Sequence, residues 1–108
     1  MTHGEKVERL AAQIRGMTGN PTGVGIRKGS EPHFVPNPFQ KKVPRLDLRE
    51  LDDILEIDAR SRTCTAESGV TFDALTRETL RHGLIPTTVP ELRGITIGGA
   101  VAGCSVES

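Results

Sequence analysis

The chain has no tryptophan, no tyrosine and three phenylalanines in 108 residues. Few large side chains are therefore available to organise a core, and a single small domain is the expectation. Fourteen basic and fourteen acidic residues cancel. With no net basic surface and no run of like charge, nucleic acid is not the expected partner. Only two cysteines occur, Cys64 and Cys104, and neither belongs to a CxxC or histidine-rich cluster. That disfavours a structural zinc site and makes reduced thiols in a cytoplasmic protein the default expectation. No apolar run approaches the ~18–20 residues that a membrane span needs. The first ten residues, MTHGEKVERL, lack the basic and apolar blocks of a signal peptide.

What is present begins with a helical pattern. Val7, Leu10, Ala11, Ile14 and Met17 recur at helical spacing and predict a helix over residues 4–17 with those side chains inward. Glu5, Lys6, Glu8, Arg9, Gln13 and Arg15 fall on the opposite, solvated face. Thr2 followed by Glu5 fits a capping box, and Gly16, Gly19 and Pro21 stop the helix. Residues 1–19 read as an amino-terminal helical arm and residues 20–108 as the domain it lies against.

From Pro21 to Pro44, both included, five prolines interrupt the chain. Val24 and Ile26 suit a short strand facing inward, with Gly29 and Ser30 turning the chain after Arg27 and Lys28. Such a turn is either plainly solvated or a shallow anion cradle of backbone N–H groups. The stretch EPHFVPNPFQKKVP is too rich in proline for a central element and reads as an extended loop. His33 within it has no partner in sequence.

A strand, strand, helix pattern follows. RLDLREL and DDILEID place leucines and isoleucines for half-buried strands. TCTAESG alternates Cys64 and Ala66 against Thr63, Thr65 and Glu67, predicting a strand with one covered face and a buried Cys64. Gly69 ends it, and Thr71 opens a helix as N-cap with Asp73 in the first turn. Phe72, Leu75, Thr76, Thr79 and Leu80 make the inward stripe, and His82-Gly83 closes the helix with a left-handed glycine. LIPTTVP then returns as an extended segment. The fold class expected is α+β.

The run from Pro90, PELRGITIGGAVAGCSVES, is rich in glycine and nearly free of charge. Glycine admits close backbone approach, and the N–H groups opening a helix at Gly98–Gly99 would face an anion. The spacing matches neither GxGxxG nor GxxxxGK[ST], and no lysine is present for a triphosphate. Cofactor cradling and a close helix-packing contact made by the Gly99–Gly103 pair both remain readings of these residues.

This run, with VTFDALTRETLRHGLIPTT before it, resembles the FAD-binding (PCMH-type) domain of the vanillyl-alcohol oxidase family of flavoproteins, nearest its sterol Δ24-reductase (diminuto/seladin) branch. The likeness extends from about Gly23 to Ser108. It implies the amino-terminal part of such a domain and FAD as cofactor. Thr96, Ile97, Gly98, Gly99, Ala100, Val101, Ala102, Gly103, Cys104, Ser105, Val106, Glu107 and Ser108 carry over as cofactor-contacting positions. Pro90 and Glu91 belong to the same motif, and Gly29 and Ser30 correspond to the first FAD-facing loop. Ser105 stands where this branch often has glycine.

The resemblance further implies hydride exchange between a small-molecule substrate and the flavin. The second half of the flavin domain and the substrate domain are expected beyond Ser108. No residue is assigned as acid or base, although Glu91 and Glu107 are the titratable groups nearest the motif. With its covering half elsewhere, the run Ile95 to Val106 would lie exposed and promote self-association. The competing reading is a non-catalytic fragment or small interaction module that binds no cofactor and pairs through an open sheet edge.

Overall fold

The computed structural model describes residues 1–17, 19, 24–27, 45–90 and 94–103. Gly29, Ser30, His33, the proline-rich loop, Glu91 and Cys104 to Ser108 lie outside them. The architecture is α+β, as the element pattern predicts.

Helix α1 (His3–Gly16) starts where its cap says it should: the Thr2 hydroxyl accepts a hydrogen bond from the Glu5 N–H at 3.2 Å. Its buried face departs from the periodic expectation. Leu10 is buried, but Val7 and Ile14 are exposed, and the second buried side chain is Lys6, only 6% exposed. Lys6 lies one turn before Leu10 and so shares its face. An anionic site beneath that face, described below, takes the helix in with its lysine rather than its valine. The α1 surface lies against β2 (Arg45–Asp47), where Leu46 is buried. An Arg9–Glu50 ion pair of 2.9 Å sits at the exposed margin.

Strand β1 (Gly25–Arg27) pairs with β2 in parallel, Ile26 opposite Leu46. Ile26 is 61% exposed and Val24 is exposed too, so the inward-facing strand expected from VGI is not found. Among the described residues, α1 lies against β2.

Strands β3 (Ile54–Asp58) and β4 (Thr63–Ala66) form an antiparallel hairpin. The pairing slips between Ile54 and Glu56, leaving Leu55 as a bulge. The extra residue brings Ile54 and Ile57, three positions apart, to the same half-buried state while Leu55 turns out to solvent. The turn is set locally. The Asp58 carboxylate accepts the Arg60 and Ser61 N–H groups at 3.0 and 3.3 Å, and Arg62 closes it at φ 58°. Cys64 is exposed, correcting the buried position expected for it: it borders an open pocket lined also by Leu75 and Thr79.

Helix α2 (Phe72–Leu80) is capped as expected, the Thr71 hydroxyl accepting from the Ala74 N–H at 3.1 Å. Leu75 and Thr79 are buried, whereas Leu80 is exposed. The helix ends in a Schellman pair: Leu84 N–H donates to Thr79 C=O and Gly83 N–H to Leu80 C=O, both at 3.0 Å. Gly83 sits at φ 71°, the left-handed position that favours glycine. Residues 84–90 then run without ladder pairing rather than as a returning strand. Their chain direction is recovered by an isolated bridge between Thr71 and Thr96, which starts α3 (Ile97–Ala102) beside the start of α2.

Candidate functional site

The glycine-rich stretch is helical from Ile97, with Thr96 as N-cap accepting from the Gly99 N–H at 3.0 Å. Thr96 is buried. Two further N–H groups of this first turn are also engaged: Ile97 donates to Val70 C=O and Gly98 to Ser68 C=O, each at 2.9 Å. The N–H groups expected to face an anion at Gly98–Gly99 are therefore spent within the protein. The turn Glu67–Thr71 supplies the acceptors, and it is itself held on the other side, Gly69 N–H donating to Leu51 C=O at 2.6 Å.

Gly98 explains its own identity. A Cβ there would lie 2.8 Å from the Ser68 Cβ and 3.1 Å from the Ser68 carbonyl oxygen. The backbone that approaches Gly98 closely is thus the 67–71 turn. Gly103 caps α3 by donating to Gly99 C=O at 2.8 Å, so the Gly99–Gly103 pair is an intrahelical bond. Val70, on the far side of this junction, is 1% exposed. Ile97, Gly98, Gly99 and Ala100 are half-buried, while Val101, Ala102 and Gly103 form an open end, Val101 at 77% exposure. From Ile95 to Gly103, exposure is thus confined to the last described turn. The run expected to be exposed from Ile95 onward is instead woven into the fold: Ile95 C=O accepts from Phe72 N–H at 2.9 Å. Pro90 is buried.

Residues 94–103 contain no titratable side chain. What this ledge offers is shape: small side chains that let a flat or apolar surface come close to the main chain. A diphosphate does not fit its first turn, whose donors are taken. The expected anion contacts at Gly29, Ser30 and Cys104 to Ser108 lie outside the described residues, as do Glu91 and Glu107.

A second constellation escaped the sequence reading. The Glu67 side chain is fully enclosed; its Oε1 accepts from Lys6 Nζ at 2.7 Å and from Asp53 N–H at 2.8 Å. Its Oε2 lies 2.7 Å from His3 Nδ1. Lys6 also reaches Asp53 Oδ2 at 2.6 Å. Burial alone would push the Glu67 carboxyl up, but the hydrogen bonds from Lys6, His3 and the Asp53 N–H hold it down at about 2. The bonds to Asp53 and Glu67 raise Lys6 above its ordinary range. Carboxylate oxygens of Asp52, Asp53 and Glu67 converge within 4.8 Å of one another. The cation among them is the Lys6 ammonium, so the cluster reads as an ion-pair knot. The available signal was the helical face Lys6 shares with Leu10; Glu67, placed by strand alternation on the open face, carried none.

Comparison with known proteins identifies what this junction belongs to. The FAD binding domain family matches residues 29–108. The chain belongs to that family. Over 70 residues the chain is 34% identical to the Delta(24)-sterol reductase homolog of Caenorhabditis elegans, covering 65% of this chain and 13% of that protein. Over 61 residues it is 36% identical to decaprenylphosphoryl-beta-D-ribose oxidase of Mycolicibacterium smegmatis, covering 56% of this chain and 13% of that protein. The chain thus spans about an eighth of each of these relatives. No solved structure matches it. The ledge, the 67–71 turn and α2 fall inside the FAD binding domain match, while α1 and β1 precede it. FAD is the cofactor of this domain.

Proposed function

We propose that the chain is the amino-terminal part of the FAD-binding domain of a longer flavin-dependent oxidoreductase, with residues 1–19 as an arm and residues 20–108 as domain. The family match over residues 29–108 carries this reading. One relative is named as a reductase and the other as an oxidase, and their named substrates differ. Redox chemistry on an organic substrate is what the two names share. FAD, when bound, supplies the hydride exchange.

This chain's residues bind and orient. The Thr96–Gly103 ledge presents main chain and small side chains to an uncharged part of the cofactor. The rest of the contact, the diphosphate included, is assigned by the family resemblance to Gly29, Ser30, Pro90, Glu91 and Cys104 to Ser108. Thr96 acts from beneath the ledge, holding its first turn shut. Among the described residues no helix is long and apolar enough to cross a membrane, and a cytoplasmic enzyme is the reading we adopt. Exposed Val101 is where a further part of the flavin domain, or a second copy, would cover the ledge end.

The test is the product of the complete reading frame that contains these residues. It should purify yellow and release FAD, identified by mass, on denaturation. A product that stays colourless after incubation with excess FAD would overturn the reading.

A further inference from the structure

We propose that Lys6 is a positioning residue for the cofactor-facing ledge, acting from outside the family match through Glu67 and the turn that follows it. The assignment of the ledge to FAD rests on the function proposed above; the relay itself rests on geometry alone.

Glu67 begins the turn that supplies both carbonyls, Ser68 and Val70, on which α3 is hung. Its backbone is fastened to residue 53 by Glu67 N–H to Asp53 C=O at 2.9 Å, and its side chain by Asp53 N–H to Oε1 at 2.8 Å. The carboxylate at the centre of this fastening is enclosed, and α1 supplies the ammonium that touches it. An enclosed carboxylate without its cation is driven toward water or toward protonation, and either change unseats the turn. Asp53, the other partner of Lys6, has a 61% exposed side chain and needs no such compensation. His3, at 48% exposure, meets the second Glu67 oxygen from the same helix. The amino-terminal helix is therefore tied to the ledge through Glu67, by the enclosed Lys6 ammonium with His3 at its margin, rather than by a broad apolar face, and Ile97 and Gly98 are the groups that register the loss of Lys6.

The experiment is residue-resolved amide exchange on the chain without cofactor. Lys6→Met should speed exchange at Ile97 and Gly98 by about tenfold or more, through local opening of the turn, while the β3–β4 ladder changes less than about twofold. Lys6→Met with Glu67→Gln, which removes the charge with its partner, should restore protection at both amides. Asp53→Asn should leave them protected.

Uniform acceleration across the chain, or unchanged exchange at Ile97 and Gly98, would overturn the relay. So would a Lys6→Met chain that unfolds while the folded double variant leaves those amides unprotected. In the complete reading-frame product, Lys6→Met should raise the Kd for FAD and the double variant should return it. Failure of the wild-type product to bind FAD would refute the proposed function, while the exchange result still decides the relay.

Discussion

Replacing Gly98 by alanine separates a glycine kept for a ligand from one kept for the fold. The new Cβ would stand 2.8 Å from the Ser68 Cβ, where carbon atoms normally rest ~3.5–4.0 Å apart. The two backbones must part by roughly 1 Å. Ser68 has little room to yield, because Glu67 N–H is bound to Asp53 C=O and Gly69 N–H to Leu51 C=O on either side of it. A shift of that size stretches the 2.9 Å bond from Gly98 N–H to Ser68 C=O beyond useful length. Overpacking costs about 1–3 kcal/mol, and the lost hydrogen bond about 1 kcal/mol. Alanine returns about 1 kcal/mol through its better helix propensity. The net is a destabilisation of about 1–3 kcal/mol, which lowers Tm by roughly 4–8 °C per kcal/mol in a domain of this size. Thermal melts followed by circular dichroism, without FAD, measure it. An unchanged or higher apo Tm would refute the reasoning and leave ligand approach as the reason for the glycine.

Gly69→Ala should be worse than Gly98→Ala, because its Cβ would overlap the Leu51 carbonyl oxygen, a backbone atom; a urea midpoint no lower than that of Gly98→Ala would contradict this. Thr71→Ala removes the α2 cap and should cost about 1 kcal/mol in the same titration. Truncation before Ile95 should destabilise rather than solubilise the chain, since Val70 and Phe72 lose the partners supplied by residues 95–97; a truncated chain with an unchanged melt would show the run to be dispensable. Glu67, faced by Lys6, His3, Asp53 and the nearby Asp52, has a folded pKa of about 2 against an ordinary 4.5. A depressed carboxyl stabilises fully above its unfolded value, so its contribution should be lost as pH falls from about 4.5 to about 2. Acid titration of the wild type should show that loss, and Glu67→Gln should lack it.

The features legible in the sequence are those decided within one turn of chain. Thr2 and Thr71 cap helices because a hydroxyl reaches an N–H three residues on, and Gly83 ends α2 because its left-handed backbone needs no partner elsewhere. The β3 and β4 strands, the helical start at Ile97 and the kinship of the glycine-rich run with flavin domains are of the same local kind. Strand alternation misled at Cys64, since how far a strand face is covered depends on what packs alongside. Helical periodicity misled at Lys6 for a related reason: a lysine enters the interior when an enclosed carboxylate, 61 positions away, is there to receive it. Only the tertiary structure could show that the first-turn N–H groups of α3 end on Ser68, Val70 and Thr96. A glycine's neighbours and a donor's acceptor are set by the path of distant backbone, whereas a cap is set by the residues that carry it.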